Sequence, residues 1–214
     1  MNISAIQRDT LKDIINSLET TKYGQAWPSE YNEFFRLWGF FNRIYDTLYT
    51  GAEWQRIAQF ALDKSFSHIW ESIKGLKALE ELSRQPCVGD GRNDYVPSDH
   101  VRIAFHILRA VFNIDVRVVC QSQKCQKRKQ QNWQICESYD WPQPPKNVTS
   151  PNDAIYLPLG ATLAIIYQIR NNLFHGSKYE ITGPDYLRNL HLINSSKDIM
   201  QQILKQTKET VSKF

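Results

Sequence analysis

One short segment near the end of the chain combines side chains that could act on a phosphate ester. Arg170, Asn171 and His175 fall within six residues, and Gly176 follows them. Arginine presents a planar fork of N–H donors that matches a phosphate group, and histidine exchanges a proton near neutral pH. The amide of Asn171 can orient either side chain by a hydrogen bond. Together they form a minimal set for metal-free phosphodiester chemistry, so these three are the candidate catalytic residues.

The spacing of this segment is weak evidence when taken alone. A chain with five histidines and this many arginines contains about one such match by chance. On an ideal helix Arg170 and His175 lie about 140° apart, so they share one side only if the helix unwinds before Gly176. The alternative is a plain helix end, in which Arg170 caps carbonyl groups and His175 bonds the backbone. The long apolar helix before the pair, the Asn after the Arg and the Gly after the His favour a site.

The apolar residues of the chain recur at the spacing of helices that would position this segment. They predict helices at about 3–18, 29–50, 53–82 with a break near 63–65, 98–112, 153 or 159 to 174, and 184–211. Ser29 and Pro184 are typical helix starts, and Gly51 and Gly176 typical helix ends. The pattern changes at about 113–150, a polar insertion that forms either a small β-hairpin or a loop. The expected fold is an all-α bundle, a single domain over residues 1–214 with this insertion.

Two segments resemble the HEPN superfamily (higher eukaryotes and prokaryotes nucleotide-binding domains). The segment 170–176 resembles its R-x(4–6)-H signature, in the form R-N-N-L-F-H-G that is common among prokaryotic members. The second segment, with Phe41, Asn42 and Tyr45, is similar to the F-N-x-x-Y segment in an early helix of some members. The resemblance covers mainly residues 34–50 and 160–205, and it leaves the insertion without a counterpart.

The resemblance implies a HEPN-like helical bundle and a metal-independent endoribonuclease of bacterial defence or toxin–antitoxin systems. In that family two signatures usually face each other across a dimer, so the resemblance implies that this chain, with one signature, acts as a homodimer. It also implies an antitoxin or sensor protein as a regulatory partner. Arg170 would hold the scissile phosphate, His175 would act as general acid and base, and Asn171 would position them. The 2′-OH of the RNA would attack, leaving a 2′,3′-cyclic phosphate.

Two other functions fit the same residues. The first is a non-catalytic HEPN module that binds RNA, a nucleotide or a protein partner, for which Arg170 would bind a ligand without chemistry. The second is a helical scaffold whose motif is only a helix end, with Arg170 and His175 pointing apart. Whether two copies bring both side chains into one cleft discriminates between these functions and the nuclease.

Basic residues concentrate in the insertion. The chain carries a net charge of +4, from 26 Lys and Arg against 22 Asp and Glu, and residues 117–146 alone hold six basic and two acidic side chains. Cations beside an aromatic ring suit a phosphate backbone and a stacked base, although a solvated hairpin tip explains the same pattern. The candidate RNA-binding residues are Lys124, Lys127, Arg128, Lys129 and Trp133 in the insertion and Lys178 after the signature.

No cofactor or metal is expected. Cys120, Cys125 and Cys136 lack the paired C-x2-C spacing of a zinc ribbon. With Cys87 they could still hold zinc in space, but free thiols are the simpler interpretation. The N-terminal segment has no apolar core of a signal peptide, and no apolar run is long enough to span a bilayer. These features predict a cytoplasmic protein that has no membrane partner.

Overall fold

The computed structural model describes residues 4–20, 29–85, 99–114, 144–174 and 184–213 of the chain. These residues contain no strand, so the chain is all-α as the apolar spacing predicts. Residues 115–143 of the insertion, for which the sequence predicts either a hairpin or a loop, lie outside the residues that the structure describes. The helices are α1 (Ala5–Thr20), α2 (Ser29–Leu48), α3 (Glu53–Leu62), α4 (Ile69–Ile73), α5 (Lys77–Arg84), α6 (Asp99–Val111), α7 (Pro158–Phe174) and α8 (Pro184–Val211), with 3₁₀ helices at Lys64–Phe66 and Pro151–Tyr156.

The helix starts and the first turn follow from local residue types. Helix α2 begins at Ser29 and α8 begins at Pro184, where the fixed φ of proline suits a first helical turn. The turn between α2 and α3 contains Gly51 with φ of +115°, a conformation that a residue with a Cβ rarely adopts. This glycine therefore allows α3 to return close to the end of α2.

The predicted helical region at 53–82 contains two breaks rather than the single predicted one. The first break is the predicted one near 63–65, where the carboxylate of Asp63 accepts a hydrogen bond from the backbone N–H of Ser65 at 2.8 Å. The second break is a turn at residues 74–75 between α4 and α5. Apolar residues keep their helical spacing across this second turn, so the sequence pattern did not reveal it.

Two long helix pairs build the core. Helix α6 packs along α7, and α2 packs along α8, while the 3₁₀ helix Pro151–Tyr156 packs against α3 and the start of α7. Aromatic side chains fill the centre, as the composition predicts: Phe41 contacts Phe60 edge-to-face at 5.0 Å between ring centroids, and Phe60 stacks on Phe66 at 4.4 Å. No helix in the described part of the chain is both long enough and apolar enough to cross a membrane.

Arg109 is a buried cation near the end of α6, and it joins α6 to the end of α5. Its Nε donates to the carbonyl oxygen of Ser83 at 2.9 Å and its Nη2 donates to that of Gln85 at 2.7 Å. Its guanidinium also lies 5.3 Å from the centroid of the Phe105 ring. Carbonyl groups at a helix end lack partners within the helix, so Arg109 caps α5 from outside.

Replacing Arg109 with methionine is expected to lower the free energy of unfolding by about 3 kcal/mol, since two charge-assisted hydrogen bonds are lost and two carbonyl groups lose their partner. Urea denaturation followed by circular dichroism measures this change. The control is Arg84→Met on α5, where the exposed i,i+4 pair with Glu80 should contribute less than about 1 kcal/mol. Equal effects of the two variants would contradict the capping role of Arg109.

Candidate functional site

Arg170 lies one turn before the end of α7, with its side chain 24% exposed. Its Nη1 donates a hydrogen bond to the Oδ1 of the next residue, Asn171, at 2.7 Å. The guanidinium also lies 6.0 Å from the centroid of the Trp38 ring, within the range of a cation–π contact. The predicted pairing of Arg170 with Asn171 is therefore present, and the arginine is held at the edge of the core rather than free in solvent.

A carboxylate from another helix faces Arg170. Glu53 is the first residue of α3, and its Oε2 lies 3.5 Å from the Nη1 of Arg170. The side chain of Glu53 is 25% exposed, so water screens this ion pair only in part. A carboxylate at the start of a helix is also favoured by the helix dipole. The pair ties the first turn of α3 to the last turns of α7.

Asn42 and Tyr45, on α2, hold the other oxygen of the same carboxylate. The hydroxyl of Tyr45 donates to Glu53 Oε1 at 2.8 Å, and Asn42 Nδ2 donates to that oxygen at 3.4 Å and to the Tyr45 hydroxyl. Burial raises the pKa of Tyr45 above its ordinary value, and the Glu53 carboxylate raises it further, against the lowering effect of Asn42. The phenol therefore keeps its proton and remains a donor. Glu53 thus bridges the α2 pair and Arg170.

A second ion pair fixes the turn that carries Glu53. Arg56 Nε lies 2.8 Å from Asp46 Oδ1, and Arg56 Nη1 donates to the Gly51 carbonyl oxygen at 2.6 Å. The Arg56 guanidinium lies 5.8 Å from the centroid of the Tyr45 ring. Because Asp46 is on α2 and Arg56 is on α3, these contacts hold the start of α3 against the end of α2, and so hold Glu53 beside Tyr45.

Aromatic rings continue the site away from Arg170. Tyr167, one turn before Arg170 on α7, stacks between Trp38 and Trp54 at centroid distances of 6.0 and 6.2 Å, with interplanar angles of 27° to each. His100, at the start of α6, lies beyond Trp54 at 6.3 Å and 42°. The row therefore joins side chains from four helices next to the Glu53–Arg170 pair.

The structure brings together only part of the predicted site. Arg170 and Asn171 are in contact, and Asn42 and Tyr45 from the second segment are linked to Arg170 through Glu53. The other predicted residues lie outside the described residues, as do the four cysteines: His175, Lys178, Lys124, Lys127, Arg128, Lys129, Trp133, Cys87, Cys120, Cys125 and Cys136. Among the residues that the structure describes, no group of His, Cys, Asp and Glu side chains is arranged to hold a metal ion.

Glu53 is the residue that the sequence did not single out. Its only signal there is its place as the first acidic residue after Gly51, at the start of a predicted helix. The sequence did not single out Trp54 and Tyr167 either, because each fits the pattern of a buried position on its helix. The contact of α3 with α7 depends on tertiary packing, so no local pattern connects Glu53 with Arg170.

Comparisons of the chain with protein-family models, with curated proteins and with solved structures gave no match. The class that fold and site define is therefore an all-α chain with an arginine–carboxylate–phenol–amide network at the end of α7.

Proposed function

We propose that this chain is a metal-independent endoribonuclease of the HEPN type, which acts as a cytoplasmic homodimer in bacterial defence or a toxin–antitoxin system. One observation carries the proposal. The two segments that resemble the superfamily are far apart in the sequence, yet Asn42 and Tyr45 from the first are bonded to Glu53, which pairs with Arg170 from the second. A link between these polar residues through one carboxylate is unexpected if Arg170 only ends a helix.

The proposed reaction uses the fork of Arg170 and the imidazole of His175. Arg170 holds the scissile phosphate and stabilises the charge that develops on its oxygens. Asn171 and Glu53 fix the direction of the Arg170 guanidinium. His175, the first residue after α7, moves a proton: the 2′-OH loses a proton as it attacks phosphorus, and the leaving 5′-oxygen gains one. The products are a 2′,3′-cyclic phosphate and a 5′-hydroxyl.

The proposal includes a second copy of the chain, because each chain carries one Arg170–His175 signature and a composite site needs two. The basic residues of the insertion (Lys124, Lys127, Arg128, Lys129), with Trp133, and Lys178 beyond the signature are proposed to bind the RNA backbone. An antitoxin or sensor protein is the proposed regulator, since an unrestrained ribonuclease would harm the cell that makes it.

His175→Ala tests the proposal directly. Purified protein incubated with a mixed RNA pool in EDTA is expected to cleave it, and His175→Ala is expected to lose at least about 100-fold in rate, as the general acid and base is removed. The control is His191→Ala, which removes an exposed histidine of α8 and should cleave like the wild type. Intact RNA with the wild type, or equal cleavage by His175→Ala, would contradict the proposal.

A non-catalytic HEPN module that binds RNA, a nucleotide or a protein partner is the second candidate. The observation that favours it is the Glu53 carboxylate 3.5 Å from Arg170, since an incoming phosphate has to compete with this internal anion. For this candidate, Arg170→Ala weakens ligand binding and the wild type shows no cleavage.

A further inference from the structure

The row of four rings runs from the core to the surface. Trp38 is buried, Tyr167 and Trp54 are half-buried, and His100 is exposed. The two inner contacts are stacked, at 27° each, whereas the outer contact between Trp54 and His100 is tilted by 42°. The outermost ring, His100, is exposed, so it changes rotamer at little cost. Trp54 is the last ring of the stacked part of the row.

The two middle rings of the row, Trp54 and Tyr167, belong to the same two helices as the Glu53–Arg170 pair. Trp54 directly follows Glu53 on α3, and Tyr167 precedes Arg170 by one turn on α7, about 4.5 Å along the helix axis. The ion pair Glu53–Arg170 and the stack Trp54–Tyr167 thus bridge the same two helices side by side. A nucleotide has the same arrangement, with an anionic phosphate next to a flat base.

We infer that Trp54 is a stacking platform for an unpaired nucleobase of the RNA whose phosphate Arg170 binds. The inference rests on the proposed ribonuclease function and deepens it. Arg170 binds the phosphate, and the outer face of Trp54 stacks on the neighbouring base. His100 changes rotamer to make room for this base. Stacking on an aromatic ring accepts any base, because every base has a π-face. Bases in a duplex are already stacked on each other, so a double strand gains nothing from Trp54.

The test measures binding with RNA that cannot be cleaved. Three probes carry 2′-O-methyl groups in place of the attacking hydroxyl: an eight-residue oligoadenosine, an abasic strand of the same length, and a duplex of the same length. Trp54→Leu is expected to weaken binding of the oligoadenosine about 10-fold and to change binding of the abasic strand and the duplex less than 2-fold. Trp54→Phe, which keeps a ring, should restore most of the affinity.

The control is Trp70→Leu, which removes a half-buried tryptophan of α4 that is outside the row, and it should leave all three affinities unchanged. Thermal melting of each variant checks that it is folded. An equal loss for the abasic strand, or no loss for the oligoadenosine, overturns the stacking platform while cleavage by the wild type still supports the ribonuclease. Base-dependent binding without any cleavage overturns the ribonuclease and keeps the platform. If the wild type binds none of the probes, the stacking platform falls, and cleavage of unmodified RNA by the wild type decides separately on the ribonuclease.

Discussion

Arg170→Ala is expected to lower the rate of RNA cleavage by roughly 100- to 1000-fold, the usual cost of losing a donor that stabilises charge in a transition state. The guanidinium is held in place by Asn171 at 2.7 Å and by the carboxylate of Glu53 at 3.5 Å, so its direction is set before a substrate arrives. Single-turnover cleavage of a labelled single-stranded RNA in EDTA measures the rate.

A second variant separates the charge of Arg170 from its shape, and a third serves as the control. Arg170→Lys keeps the charge but loses the planar fork, so it should recover only part of the lost rate. Arg43→Ala removes an exposed arginine of α2 and should cleave at the wild-type rate. The proposed role of Arg170 is contradicted if Arg170→Ala stays folded and cleaves as fast as Arg43→Ala.

Gly160→Ala is expected to be the most destabilising single-methyl change among the glycines that the structure describes. A Cβ at position 160 would lie 1.9 Å from the carbonyl oxygen of Ala154 and 2.6 Å from its carbonyl carbon. Both atoms belong to backbone, so either α7 or the 3₁₀ helix Pro151–Tyr156 has to move. Overpacking of this kind costs about 3 kcal/mol, and chemical denaturation measures the loss.

The same substitution is expected to disturb the site. The 3₁₀ helix that Gly160 touches also packs against α3, which carries Glu53, while Gly160 itself belongs to α7, which carries Arg170. The matched control is Gly39→Ala on α2, where a Cβ meets no atom within 4 Å. It should stabilise the protein by about 0.5–1 kcal/mol, because alanine loses less backbone freedom than glycine in a helix. If the two alanine variants are equally stable, the close approach at Gly160 is wrong.

The sequence predicted the elements of the fold better than their joints. Apolar spacing identified the helical regions, and Ser29, Pro184 and Gly51 marked their ends because the backbone preferences of these residues are local. The close approach at Gly160 was not predictable in this way, since it depends on how separate elements pack. The turn at residues 74–75 has a local signal in Gly75, but the apolar spacing continues across it.

The same limit applies to the site. The sequence singled out Arg170 and Asn171, and the pair Asn42 and Tyr45, because a family resemblance compares short runs of residues. Glu53 was not visible, because its importance comes from lying between two of those runs in space. The sequence thus singled out Arg170, Asn171, Asn42 and Tyr45 of this network, whereas the carboxylate that links them required the packing of α2, α3 and α7.

The chemical nature of the product ends tests the central claim most directly. A DNA strand that carries one ribonucleotide is incubated with the protein in EDTA, and the products are identified by mass spectrometry. If Arg170 and His175 promote attack by a 2′-OH, the strand breaks only after the ribonucleotide and yields one 2′,3′-cyclic phosphate and one 5′-hydroxyl end. Breaks at deoxyribonucleotides, 5′-phosphate ends, or an intact strand when wild-type protein is in excess would contradict the claim.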